Sequence, residues 1–253
     1  MKLLTLTLGL VLTLVTALTA AMADDNKGEE LAVLTEAAFP PFEFYDENRN
    51  LTGFDVDLMK EIGKVLGRSV RFEEIPFAQI MDGVESGRCK LAISAITITA
   101  ERLKKVNFSD SYIKAGLSLA VNSLYAEYLN EKNLDGKPIC VEAGTVSETM
   151  ARRYQHSKIL SFSSSDEACE AFNNQECQVL INERLVNQYN IKIGKLEDAV
   201  LYPVALTAQQ LGIAVNKQHP ELLDAVNEAL AQLKNSGVYD EIFNKWFEID
   251  VRR

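Results

Sequence analysis

Apolar residues along this chain switch repeatedly between short unbroken runs and runs with helical spacing. Residues 31–35 form the first unbroken run and read as a buried strand. Residues 55–66 then read as a helix, with Phe54, Leu58, Ile62 and Val65 on one face and Gly67 as the stop. A strand at 70–75, a helix at 77–86 and a strand at 91–96 follow. Beyond Asp110 the alternation restarts: a strand at 139–142, a helix running to Tyr154, a strand at 159–162, a helix at 166–173 and a strand at 178–182. The run Gly144-Thr145-Val146-Ser147-Glu148 carries a capping box from Thr145 to Glu148, which sets the start of the first of these helices. The last part holds a strand at 212–215, an amphipathic helix at 221–234, a break at Gly237 and a short helix at 238–247 with the single Trp, Trp246.

Strands alternating with helices predict mostly parallel sheets covered on both faces. Two such series imply two α/β lobes, and their wiring is alike. Residues 85–93 and 174–181 both run from a helix end into a buried strand that ends in polar residues. Ligands of such sheets sit beyond the carboxyl ends of the strands. Those ends carry Glu36, Thr97, Glu142 and Glu183, so four polar positions from two lobes converge on one cleft.

Between Ser94 and Arg102 the chain passes from a buried strand to a helix that Thr99 is placed to cap. Arg102 then falls in the first helical turn, where the helix dipole opposes a cation by roughly 0.3–1 kcal/mol. A strand-end Thr, free backbone amides and one Arg on the same side make a carboxylate clamp. A surface Arg beside Glu101 is the plain alternative.

The N-terminus bears on location. Lys2 precedes an apolar stretch, 3–18, and Ala21-Met22-Ala23 precedes the acidic start Asp24-Asp25. That is a secretory signal peptide cut after Ala23, with a periplasm as the simplest destination. The formal net charge of −10 argues against nucleic acid or anionic lipid as a partner. His156 and His219 stand far apart, so no metal spacing appears, and no cofactor is expected.

Seven ordered motifs run through the mature chain: Phe39-Pro40-Pro41-Phe42-Glu43-Phe44, Gly53-Phe54-Asp55-Val56-Asp57-Leu58, Thr97-Ile98-Thr99-Ala100-Glu101-Arg102, Phe108-Ser109-Asp110-Ser111-Tyr112, Ala143-Gly144-Thr145, Gly237-Val238-Tyr239-Asp240 and Lys245-Trp246-Phe247. With them the chain resembles the bacterial extracellular solute-binding proteins of family 3, the polar amino-acid binders of ABC importers. The resemblance implies a two-lobed, type II (Venus-flytrap) periplasmic binding fold that closes on its ligand. Lobe one would be 24–111 plus 214–253 and lobe two 117–208, joined by crossover hinges at 112–116 and 209–213. It further implies that Arg102 grips the ligand α-carboxylate, a task suited to a planar fork. Thr97, Thr145 and the backbone at Ala95 would add hydrogen bonds. Phe39 and Phe77 would flank the ligand side chain, and Glu183 would take the α-ammonium. On composition alone Phe39 and Phe77 are core residues, and Glu183 beside Arg184 is a solvated pair. The implied partners are the small amino acid or amine and a permease in the inner membrane, with the binder itself a monomer and not an enzyme.

Three positions depart from the family pattern. Glu183 stands where Asp is usual, Ala95 where Gly is frequent, and Glu142 where relatives carry Gln or Lys. With Glu36, the cleft would hold three acids and one Arg. Buried acids without partners are costly. A cationic amino acid such as arginine, lysine or ornithine balances them; a neutral polar amino acid remains open, as does Glu142 pointing to solvent or pairing with Arg184. A sensor that signals to a membrane receptor and a small carboxylic-acid dehydratase are the rival functions. Of the cysteines, Cys89 lies in lobe one, and Cys140, Cys169 and Cys177 lie in lobe two. Cys140–Cys177 is the first candidate bridge for an exported protein, and four buried thiols are the alternative.

Overall fold

The computed structural model describes residues 28–247; the expected leader and its cut after Ala23 lie outside them. The chain first lays down β1 (Leu31–Thr35), a small meander of β2 (Ala38–Phe39), β3 (Glu43–Tyr45) and β4 (Leu51–Thr52), then α1 (Phe54–Val65), β5 (Val70–Glu74), α2 (Phe77–Glu85), β6 (Leu91–Ala92), α3 (Arg102–Lys105) and β7 (Asn107–Phe108). It crosses through β8 (Ile113–Ala115) into β9 (Leu117–Asn122), β10 (Ile139–Glu142), α4 (Val146–Ala151), β11 (Ile159–Phe162), α5 (Ser165–Asn173), β12 (Val179–Glu183), α6 (Arg184–Lys192) and β13 (Ala199–Leu201). It returns through β14 (Gln209–Leu211) to β15 (Ala214–Val215), α7 (Pro220–Ser236) and α8 (Val238–Phe247).

Two five-stranded sheets result, in the orders β5-β1-β6-β15-β7 and β11-β10-β12-β9-β13. Their central strands run parallel, β1 with β5 and β6, and β10 with β11 and β12. Both faces of each sheet are covered, which is why the strands read as unbroken apolar runs. Leu31 and Val33 of β1 meet Phe54, Leu58 and Ile62 of α1 and Val226 and Leu230 of α7. Leu34 faces the other way, onto Ile80 and Val84 of α2. The second sheet repeats the arrangement. Ile139 and Val141 share a cluster with Ala151 of α4, and Cys140 and Leu180 share one with Cys169 and Phe172 of α5. Cys140 and Cys177 are bonded as a disulfide across 37 positions, a loop whose closure is worth about 2–4 kcal/mol. Cys89 and Cys169 are free and buried.

The two passages between the sheets are paired with each other. β8 and β14 form an antiparallel ladder with Ile113 opposite Leu211 and Ala115 opposite Gln209. The sheets also approach closely at Gly144, which follows β10 with φ +76; a Cβ there would come within 3.0 Å of Ala78 in α2. A side chain at this position would therefore hold the two halves apart.

Several elements differ from the sequence expectation. The strand expected over 91–96 keeps only Leu91 and Ala92 in the ladder, because Ala95 turns to φ +45 and the chain leaves the sheet. The helix expected from Thr99 is regular only over Arg102–Lys105, although the Thr99 hydroxyl does accept the Arg102 amide at 3.2 Å. The capping box forms with a shift of one residue. Thr145 Oγ1 accepts the Glu148 amide, and Glu148 Oε2 accepts from Gly144 rather than from Thr145. β9, β13 and α6 carried no expectation. β9 is buried at all six positions, so its Ser118 and Asn122 interrupt the apolar run that marks the other strands.

Candidate functional site

The carboxyl ends of both sheets open into one cleft of about 400 Å³, counted with its mouth. From the first half come Phe39 of β2, Phe77 at the start of α2, Ala95 and Thr97 beyond β6, and Arg102 at the start of α3. From the second half come Leu117, Glu142 at the end of β10, Thr145, Val146 and Ser147 at the start of α4, and Glu183 at the end of β12. Gln209 and Leu211 of the returning crossover complete the lining.

Arg102 spans the cleft. Its Nη1 donates to the Thr97 carbonyl at 3.0 Å and its Nη2 to the Gly144 carbonyl at 3.2 Å, so one side chain bonds both halves. Its guanidinium lies 5.2 Å from the centre of the Phe77 ring. Burial draws its pKa down to about 10, with Glu101 and Glu142 opposing the drop. A carboxylate entering the cleft can replace the two carbonyls as acceptor, and a bidentate charged pair is the stronger bond.

The acids are buried rather than solvated. Glu142 is 4% exposed and Glu36, at the end of β1, 5% exposed. They come from opposite sheets and lie within hydrogen-bonding reach of each other. Glu36 does not line the open cleft; it stands against Glu142. Burial pushes Glu36 up to about 7, and burial with the Glu36 charge holds Glu142 well above the ordinary carboxyl range. Glu36 Oε2 and Glu142 Oε1 have no hydrogen-bond partner among the described residues. Neither solvent exposure nor an Arg184 pair describes Glu142: Arg184 turns instead to the Tyr202 carbonyl.

Glu183 caps α6. Its carboxylate accepts from the Gly116 amide at 2.9 Å and the Leu185 amide at 3.4 Å, and burial pushes its pKa up to about 7. Thr145 spends its hydroxyl locally, donating to the Glu142 carbonyl at 2.7 Å while accepting the Glu148 amide. Thr97 Oγ1 lies 3.4 Å from Gln209 Oε1. The helix start beyond Gly144 was expected to meet the ligand, and Val146 and Ser147 line the cleft there; Leu117, Gln209 and Leu211 were not anticipated, although Gln209 and Leu211 lie in a stretch expected as a crossover, which was the available signal. Among the described residues no group of His, Cys, Asp and Glu is placed to hold a metal, and no helix is long and apolar enough to cross a membrane.

Residues 31–249 match the family of bacterial extracellular solute-binding proteins, family 3. The chain belongs to that family. Among curated relatives, the L-cystine-binding protein TcyJ of Escherichia coli K12 is 27% identical over 234 residues, covering 90% of this chain and 87% of that protein. The arginine-binding extracellular protein ArtP of Bacillus subtilis is 28% identical, covering 94% of this chain and 96% of its own length. Among solved structures, an ancestral arginine-binding protein bound to arginine superposes with a TM-score of 0.83 at 35% identity, over 86% of this chain and 98% of that one. The fold is the two-lobed, type II periplasmic binding fold, and members of this extracellular and periplasmic family are solute-binding proteins that serve ABC transporters.

Proposed function

We propose that this protein captures an amino acid with a second cationic group and delivers it to an ABC importer. The observation that carries this reading is the Glu36–Glu142 pair: two buried carboxyls, one from each sheet, each with an oxygen that meets no donor. An ammonium or guanidinium supplies the missing donors and the missing charge together. Arg102 takes the ligand α-carboxylate, and Glu183 takes the α-ammonium. Phe39 and Phe77 flank the aliphatic stem, while Ala95, Thr97 and Thr145 frame the backbone of the ligand. The names of ArtP and of the arginine-bound ancestral protein support this ligand class.

Binding closes two lobes, 24–111 with 214–253 and 117–208, about hinges at 112–116 and 209–213. Closure is a population shift driven by contacts that exist only when both lobes are engaged. The ligand leaves unchanged, to a permease in the inner membrane, from a monomeric protein exported by a leader cut after Ala23. One observation favours a second reading. Burial raises Glu36 to about 7 and holds Glu142 well above the ordinary carboxyl range, and a pair that has taken up a proton suits a neutral polar amino acid. Thermal unfolding of refolded, ligand-free protein against single amino acids separates the two, since a ligand at 100 times its Kd adds about 2.7 kcal/mol to the native state. L-arginine, L-lysine or L-ornithine should give the largest rise in midpoint. L-glutamine in first place would replace the cationic reading with the neutral one.

A further inference from the structure

A second pair of acids lies behind the cleft and belongs to neither the lining nor the hinge. Glu43 of β3 and Asp55 of α1 are both 0% exposed, in contact with each other, and among the described residues no cation faces them. The facing groups are the Ser94 hydroxyl, the Ala95 amide, Tyr112, Tyr239 and, further off, Glu36. Two buried carboxyls in contact share one proton. The donors show which of them keeps it. Asp55 Oδ2 accepts the Ala95 amide at 2.7 Å and the Tyr112 hydroxyl at 3.0 Å, whereas Glu43 receives only the Ser94 hydroxyl at 2.7 Å. Glu43 Oε2 and Asp55 Oδ1 are the oxygens left over, and one proton from Glu43 to Asp55 satisfies both. Burial also raises Asp55 only to about 7, but Glu43 well above the ordinary range, which agrees with this order.

The two donors to Asp55 Oδ2 lie in parts of the molecule that matter for binding. Ala95 lines the cleft in a left-handed conformation, φ +45, that an L residue holds only under constraint. Tyr112 immediately precedes β8, the first crossing between the sheets, and its carbonyl is held in turn by the Tyr239 hydroxyl. The neighbouring Ser94 hydroxyl also accepts the Glu36 amide at 3.0 Å, so the same group orders the end of β1.

We propose that ionised Asp55, with Glu43 carrying the proton of the pair, is a positioning residue that fixes the Ala95 turn in the cleft floor and ties that floor to the first crossing through Tyr112. The role of the floor in binding rests on the function proposed above; the geometry of the floor does not. The test follows the Ala95 amide by nitrogen-15 NMR in the exported, ligand-free protein. Asp55→Asn should move the Ala95 resonance upfield and speed its hydrogen exchange by about tenfold or more, through loss of a bond to a charged acceptor. Glu43→Gln, which still donates to Asp55, should leave both unchanged. Tyr112→Phe, a milder change should Asp55→Asn fail to fold, should move the Ala95 resonance further downfield, because one oxygen serves both donors. An unmoved Ala95 resonance in Asp55→Asn or Tyr112→Phe, or equal loss in Glu43→Gln, overturns the proposal. Calorimetry with L-arginine on the same samples reports separately: Asp55→Asn should bind about tenfold more weakly and Glu43→Gln like the unaltered protein. If the unaltered protein ignores L-arginine while the Ala95 responses stand, the ligand reading fails and the positioning role holds.

Discussion

Among the described residues two pairs of buried carboxyls stand without a cation in contact, and they are treated in opposite ways. Glu43 and Asp55 sit within one half and receive three fixed donors, the Ser94 hydroxyl, the Ala95 amide and the Tyr112 hydroxyl. Glu36 and Glu142 meet across the two halves, and among the described residues the Phe77 amide reaches Glu36. Among the described residues both pairs leave one oxygen per carboxyl without a fixed donor, but the first also holds the Ser94 hydroxyl, the Ala95 amide and the Tyr112 hydroxyl, which gives ionised Asp55 a structural task. The second has fewer fixed donors and sits where the halves meet, which is the ground for the cationic ligand proposed above. Burial alone does not make a binding site; a deficit of donors at a closing interface does.

The largest expected effect isolates the partner of this deficit. Arg102→Ala should weaken amino-acid binding by about a hundredfold or more, the cost of breaking a buried charged contact, while circular dichroism and unfolding of the free protein stay near normal. Near-normal affinity in calorimetry would remove Arg102 from the site. Next come the two pairs against each other. Glu142→Gln should cost a cationic ligand about ten- to a hundredfold in affinity, yet raise the unfolding midpoint of the free protein at pH 8, since its amide offers Glu36 the donor that Glu36 Oε2 lacks. Asp55→Asn should lower that midpoint. The same sign for both variants would erase the distinction between the pairs.

The pH dependence is smaller and has a definite sign. Glu36 and Glu183 rise from ordinary carboxyl values to about 7, so the native state binds more protons than the unfolded chain between those limits. Their contribution is fully present below the unfolded values and is lost as pH rises through about 7; stability of the ligand-free protein should therefore fall between pH 5 and pH 8, by roughly 1–3 kcal/mol per group that titrates independently. Urea unfolding at the two pH values checks this, and a rise across the window would contradict it. The smallest effect concerns Glu183. Shortening it to Asp withdraws the carboxylate from Gly116 and Leu185, so Glu183→Asp should shift preference toward amino acids with unmodified α-ammonium geometry. An unchanged ligand profile in a thermal screen would show that the extra methylene does not set the pocket.

Much of the fold was legible because both sheets are covered on both faces, which writes each central strand as an apolar run. α1, α5, α7 and α8 were legible from spacing, and the end of α7 from Gly237, which the structure holds in the left-handed conformation. The chain around Ala95 was not, because side chains distant in sequence, Asp55 at 2.7 Å above all, pull it out of the ladder. α6 was hidden for a related reason: Glu183 is both strand end and helix cap, so no break separates the two elements. Within the cleft, strand-end logic pointed to Glu36, Thr97, Glu142 and Glu183 together. It could not show that Glu36 stands behind Glu142, that Thr145 gives its proton to a backbone carbonyl, or that the returning crossover lends Gln209 and Leu211 to the wall. Those facts depend on how the two halves meet.

If the Glu36–Glu142 pair takes the cation of a ligand, it should give up a proton as the ligand enters. Calorimetry of L-arginine, L-lysine and L-ornithine at pH 7, in buffers of different ionisation enthalpy, tests it most directly. Binding should release protons and tighten from pH 5 to pH 8, with the release abolished in Glu142→Gln. Binding without proton release, binding that tightens toward acid, or no binding of any of the three would contradict it.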